Sequence, residues 1–194
     1  MNSVRIFVLG ALAKGGPMHG HQIRRAAELD RMDLWSDVKP GSLYGALHRM
    51  AAEDLIEAVR TEQEGNFPAR TVYRITDAGR NELIAHRDEA LRTARVRPDP
   101  VDLAMQNTFD MPEEDLRAYL EERKLAYETL QSSWRQQQRV AEPHIHGMER
   151  MTFRHIELRI EAELKWHAEL LDHLDKLLAD EAEHKDTKDA ADEH

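Results

Sequence analysis

The sequence predicts a mainly α protein carrying one small β-hairpin, in two modules joined near residue 97. Three observations lead there. Apolar residues recur at helical spacing through most of the chain, a single alternating β-branched stretch is broken by turn-forming residues, and Pro98 and Pro100 forbid a regular helix across residues 97–100. The 194 residues suffice for one large domain or two small ones, and an apolar share of 41% can fill a core. No stretch reaches the roughly 18 apolar residues of a membrane span, and no cleavage pattern of a secretory signal follows Met1 to Ala13. The expected setting is cytoplasmic, with no membrane partner. The lack of cysteine excludes disulfide scaffolds, thiol nucleophiles and cysteine zinc sites.

The first half is punctuated quickly. From Ser3 as N-cap, Val4, Phe7, Val8, Ala11 and Leu12 recur at helical spacing until Gly15, Gly16 and Pro17 stop the helix. A second helix is expected over about His19 to Met32, with Ile23, Ala26, Ala27 and Leu29 turned inward, followed by a connector holding Trp35 as a core plug. A third runs from about Ser42 to Glu53. There Leu43, Leu47 and Met50 fall at i, i+4 and i+7 and must share one buried face, so Ser42, Gly45 and Arg49 form an outward stripe with Tyr44 and His48 beside it. A strand over Leu55 to Gln63, a turn containing Gly65, Asn66 and Pro68, and a strand over Arg70 to Ile75 make the hairpin. Thr76 caps a fourth helix reaching about Arg95, with Leu83, Ile84, Arg87 and Leu91 along one side.

Beyond the joint, Asp110 and Pro112 with the acids Glu113 to Asp115 supply helix-start chemistry. Two long helices are expected. One spans about Pro112 to Val140 with Leu116, Tyr119, Leu120, Tyr127, Leu130 and Trp134; the other spans about Met148 to Asp180 with Ile156, Ile160, Leu164, His167, Leu171, Leu174 and Leu178 at alternating spacings of four and three, a coiled-coil-like seam. Residues 180–194 form an acidic tail without aromatic residues, expected to be disordered. The domains are thus 1–96, 97–179 and the 180–194 tail.

The order helix, helix, helix, hairpin is that of a winged helix-turn-helix, in which the third helix enters the major groove of DNA and the hairpin wing lies along the backbone. Ser42, Tyr44, His48 and Arg49 give its third helix a hydrogen-bonding exterior, Lys39 precedes it, and the amides at the helix start suit a phosphate. Arg60, Asn66 and Arg70 extend the candidate DNA-binding set onto the wing. Charge is divided accordingly. Residues 1–95 hold 14 Lys/Arg and 13 Asp/Glu, net +1, whereas 96–194 hold 13 and 24, net −11, so the total of −10 sits almost wholly in the second half.

The runs ALAKGGPMHGHQIRR (Ala11 to Arg25), PGSLYGALHRM (Pro40 to Met50), DLIEA (Asp54 to Ala58) and RTVYRITDAGRNEL (Arg70 to Leu83) give the segment from Leu9 to Leu83 a specific signature. It resembles the PadR family of transcriptional regulators, the second half looking like the longer type with several C-terminal helices. The resemblance implies a winged-helix DNA-binding domain followed by a helical dimerisation region, usually in a repressor released by a small effector. The family's helix-three motif falls on Pro40, Gly41, Ser42, Leu43 and Tyr44, and its post-wing threonine and glycine on Thr76 and Gly79. Asp54 departs from the pattern, since many members carry glycine there.

A long amphipathic helix pair needs a partner surface, which a twofold homodimer supplies, and two recognition helices roughly 34 Å apart would then read a near-palindromic operator. Trp134 and Trp166 are candidate walls of a pocket for a small aromatic or hydrophobic effector, with packing as the plainer role. His144, His146 and His155 lack the cysteine or regular carboxylate spacing of a metal set, and neither metal nor cofactor is expected. No catalytic motif appears; the kinase-like triplet His86, Arg87, Asp88 lies on an expected helix without a nucleotide loop, so the protein is not read as an enzyme. The alternative is a helical protein-interaction module that uses the winged helix only as a scaffold.

Overall fold

A computed structural model of the chain describes residues 2–63, 68–96 and 98–192. It divides into two compact units, Met1–Val96 and Arg97–His194. The first contains α1 (Ser3–Gly15), β1 (Met18–His19), α2 (Gly20–Leu29), α3 (Met32–Trp35), a 3-10 turn (Pro40–Ser42), α4 (Leu43–Ala52), β2 (Ile56–Glu62), β3 (Arg70–Ile75) and α5 (Asp77–Arg92). The second contains α6 (Pro100–Met105), α7 (Glu113–Ala141) and α8 (Met148–Asp192).

Several local expectations are corrected. Helix α1 is capped by Asn2 rather than Ser3, because the Asn2 carboxamide oxygen accepts from the Val4 and Arg5 amides at 3.1 and 3.3 Å. Helix α2 starts in a capping box in which His19 Nδ1 accepts from the Gln22 amide and the Gln22 side chain accepts from the His19 amide, and it ends at Leu29, which is exposed. The connector around Trp35 is itself a short helix, and the half-buried indole packs on the core while its N–H donates to the Asp30 carbonyl. The hairpin belongs to a three-stranded antiparallel sheet of order β1-β3-β2, since Met18 and His19 pair with Tyr73 and Val72. A two-residue strand leaves no alternating pattern to read.

Among the described residues, fourteen buried ones make the core of this unit, drawn from α1 (Val8, Leu9, Leu12), α2 (Ile23, Ala27), α3 (Met32), α4 (Leu43, Ala46, Leu47, Met50) and the strands (Ile56, Ile75), with Val38 and Leu55 between elements. Asp54 turns the chain from α4 into β2 at φ 57, the left-handed region where glycine is preferred and aspartate is tolerated. Thr76 caps α5 by accepting from the Gly79 amide at 3.0 Å, and its hydroxyl donates to the Asp54 and Leu55 carbonyls. Ile84 and Leu91 of α5 face outward, leaving Leu83 as that helix's contribution to the core.

In the second unit, α6 is an element the proline pair concealed. Asp99 caps it by accepting from the Val101 amide, and Pro100 occupies its first turn, so the second proline starts a helix. Pro112, not Asp110, holds the cap position of α7. Leu116, Leu120 and Leu174 anchor α7 to α8, and Trp134 stacks on Phe153 at 4.9 Å, whereas Tyr119 is exposed. Helix α8 continues through Asp192 instead of ending near Asp180, in a segment free of glycine and proline.

A Cβ at Gly79 would stand 2.0 Å from the Leu55 carbonyl oxygen and 2.9 Å from Ile75, so α5 lies against the strand start only because this residue lacks a side chain. Gly79→Ala is expected to lower the stability of the first unit by roughly 1–3 kcal/mol in urea denaturation. The Leu116, Leu120 and Leu174 cluster should keep its own transition.

Candidate nucleic-acid interface

The buried row Leu43, Ala46, Leu47 and Met50 is no more than 4% exposed, and this alone fixes which way α4 faces. Ser42, Tyr44, Gly45, His48 and Arg49 are all exposed on the other side, with Lys39 exposed just before the turn. The start of the helix differs from expectation. The Ser42 amide donates to the Lys39 carbonyl at 2.9 Å, the Leu43 amide donates to Pro40, and the Ser42 hydroxyl donates to Lys39 at 2.7 Å. The 3-10 turn therefore consumes amides that would otherwise greet an anion, and Ser42 locks the turn with its proton while keeping its oxygen free to accept.

The Tyr44 ring lies over the first turn of α2. A Cβ at Gly20 would meet Tyr44 Cε1 at 2.7 Å and Leu47 Cδ1 at 3.1 Å, so the bare backbone of Gly20 sets the height of that ring. The Arg49 guanidinium lies alongside Gly45, where an added Cβ would meet it at an ordinary contact distance of 3.4 Å.

On the sheet, Arg60 is paired with Glu62 at 2.6 Å, an exposed pair that shares its charge. Arg74 crosses from β3 to Glu57 on β2 at 2.6 Å. The register slips between Ala58 and Arg60, adding twist to β2 below the turn. Asn66 lies outside the described residues. The start of α2, α4 and the beginning of β3 enclose a cleft of about 430 Å³ that brings Tyr44, His48 and Arg70 together with His19 and His21, two residues the periodicity of α2 did not single out. Their rings stack with centroids 6.2 Å apart.

The two tryptophans proposed for an effector are not brought together. Trp134 is buried and its indole N–H donates to the Phe153 carbonyl at 3.3 Å, while Trp166 lines a shallow groove of about 480 Å³ along α8 with Leu170, His173 and Leu177. Beside Trp166, His167 is fully buried. Its Nδ1 lies 2.7 Å from the Glu163 carbonyl and so carries the proton, leaving Nε2 as an acceptor without a partner among the described residues. Arg123 donates to Asp99 at 2.6 Å and to the Tyr127 hydroxyl at 3.3 Å. The Val101 amide, then the Arg123 guanidinium against an opposing desolvation, hold the Asp99 carboxyl below its ordinary range; burial, then Glu163, push the Tyr127 phenol up. No group of three potential ligands suited to a metal occurs among the described residues, His144, His146 and His155 included.

Helices α1, α2 and α4, a sheet with a two-stranded wing and an outward polar helix face define a winged helix-turn-helix unit. Residues 8–85 match the transcriptional regulator PadR-like family, and that segment is a PadR-like domain. Nothing among curated proteins matches it. The fold is similar to that of Bacillus subtilis PadR solved with operator DNA (TM-score 0.70, 18% identity, 89% of this chain and 97% of that one). It is also similar to the Vibrio cholerae virulence activator AphA (0.70, 20%, 90% and 99%) and to Bacillus subtilis PadR solved with p-coumaric acid (0.67, 17%, 90% and 99%). These likenesses cover about nine-tenths of the chain, C-terminal helices included, and concern the fold.

Two outcomes are expected. Gly20→Ala should displace the Tyr44 ring and weaken DNA binding in a gel-shift titration, yet add nothing to the loss in a Tyr44→Ala background. Because the Asp99 pKa is depressed on folding, its contribution to stability is present above the ordinary carboxylate range and lost as pH falls through the folded value. The stability gap between the native chain and Asp99→Asn should therefore close as denaturation is repeated from about pH 7 down to about pH 3.

Proposed function

We propose that the protein is a homodimeric, sequence-specific repressor acting in the cytoplasm, released from its operator by a small-molecule effector. The observation that carries the DNA half is the exterior of α4, where Tyr44, His48 and Arg49 stand outward over a row of buried side chains with Lys39 beside them. Tyr44 offers a donor and an acceptor to base edges, and Arg49 suits a guanine edge or a phosphate. Lys39 and Arg70 add positive charge along the backbone, whose salt-dependent attraction offsets the acidity of the rest of the chain.

Support for the dimer comes from apolar side chains that the single chain leaves exposed on α7 and α8, Leu125, Val140, Met151, Leu158 and Leu177. A second copy that covers them would present two α4 helices to successive grooves of one operator. Support for an effector comes from the p-coumaric acid complex of Bacillus subtilis PadR, and repression is the reading taken over activation, the mode that names the Vibrio cholerae neighbour. The effector would act by changing the relative placement of the two α4 helices.

The purified protein should enrich one duplex from a random-sequence pool. Tyr44→Ala and Arg49→Ala are each expected to weaken that duplex by about 1–3 kcal/mol, roughly 5- to 150-fold, with unchanged thermal stability. A p-coumarate titration of the complex that leaves operator affinity unchanged while binding the protein would contradict release by that effector.

A further inference from the structure

The cleft between α2, α4 and β3 has a composition unlike the rest of the molecule. The protein carries a net charge of −10, yet none of the described residues lining this space is acidic. Its walls hold three imidazoles, His19, His21 and His48, together with Arg70 and the phenols Tyr44 and Tyr73. No hydrogen bond or ion pair engages the ring of His21 or His48 among the described residues, and both are exposed. His19 differs. It is buried and its Nδ1 accepts the Gln22 amide, so the ring proton is on Nε2 and that nitrogen is a donor of fixed identity. A wall of imidazole, guanidinium and phenol groups, with no carboxylate among its described residues, attracts an anion.

The position of the cleft names the anion. It lies between the helix whose face is turned to bases and the hairpin that follows. When a helix fills a major groove and a wing rests on the backbone, the strand bordering that groove must pass between them. We propose that this cleft seats one sugar-phosphate unit of the bound duplex, with His21 and His48 as its donors. These histidines position the helix on the duplex and carry no sequence information, unlike the outer edge of α4. The assignment rests on the DNA-binding reading given above.

The test uses the full-length protein and the duplex it enriches from a random pool, remade as a series in which one phosphate at a time is replaced by an uncharged methylphosphonate. For the native chain, one position in each half-site is expected to weaken binding roughly tenfold, the scale of a hydrogen bond to a charged group. The double variant His21→Ala, His48→Ala should bind the unmodified duplex roughly tenfold more weakly, should be indifferent to that same replacement, and should enrich the same sequence as the native chain. Both side chains are exposed, so folding should survive, and the thermal transition verifies it. A double variant as sensitive as the native chain at every phosphate would overturn the seat. So would a changed sequence preference, which would make these histidines readers of bases. A native chain that enriches no sequence would instead remove the DNA reading before any variant is compared, and the seat with it.

Discussion

The orientation of one short helix decides what this protein can touch. Leu43, Ala46, Leu47 and Met50 are buried together with Leu12, Ile23 and Ile56 in a single core, and burial of that row is worth several kcal/mol against any rotation of α4. Rotation would expose the row and bury Tyr44, His48 and Arg49 without partners, a penalty on top of the lost packing. The polar face is therefore held outward by apolar chemistry. The placement of the Tyr44 ring is steric as well, because Gly20 leaves space for it.

The second constraint is the division of charge. The first unit is nearly neutral and the second strongly acidic, so attraction to a polyanion is local to the first. Within that unit several carboxylates are held in ion pairs. Glu53 and Glu82 pair with Arg5, Glu57 with Arg74 and Glu62 with Arg60. In the second unit, the Asp99, Arg123 and Tyr127 cluster ties the first residues after the joint to α7, while His167 is buried beside it from α8.

The sequence was most legible where period and burial coincide. The spacing of Leu43, Leu47 and Met50 placed both faces of α4, and Arg70 to Ile75 matched β3 residue for residue, because alternation and a turn bounded it. Legibility failed where a structure is too short to carry a period, as with β1, α3 and the 3-10 turn before α4. It failed again where a residue has two uses. Pro100 stops a helix from one side and starts one from the other, and the amides expected to meet an anion at Ser42 are spent on a local turn. His19 and His21 were invisible as cleft residues, since their cleft forms only when β3 folds back beside α2. The Asp54 departure is resolved by its backbone: a left-handed turn that glycine favours is made here by aspartate.

The chain has no cysteine, which allows α4 to be placed on DNA directly. Gly45→Cys puts one thiol at the centre of the outward face, and duplexes of the enriched sequence can carry a disulfide-tethered base at successive major-groove positions. If α4 enters the groove, trapping should occur at one position in each half-site and fall away at its neighbours. Specific binding with no trapping at any position would mean that another surface meets the duplex.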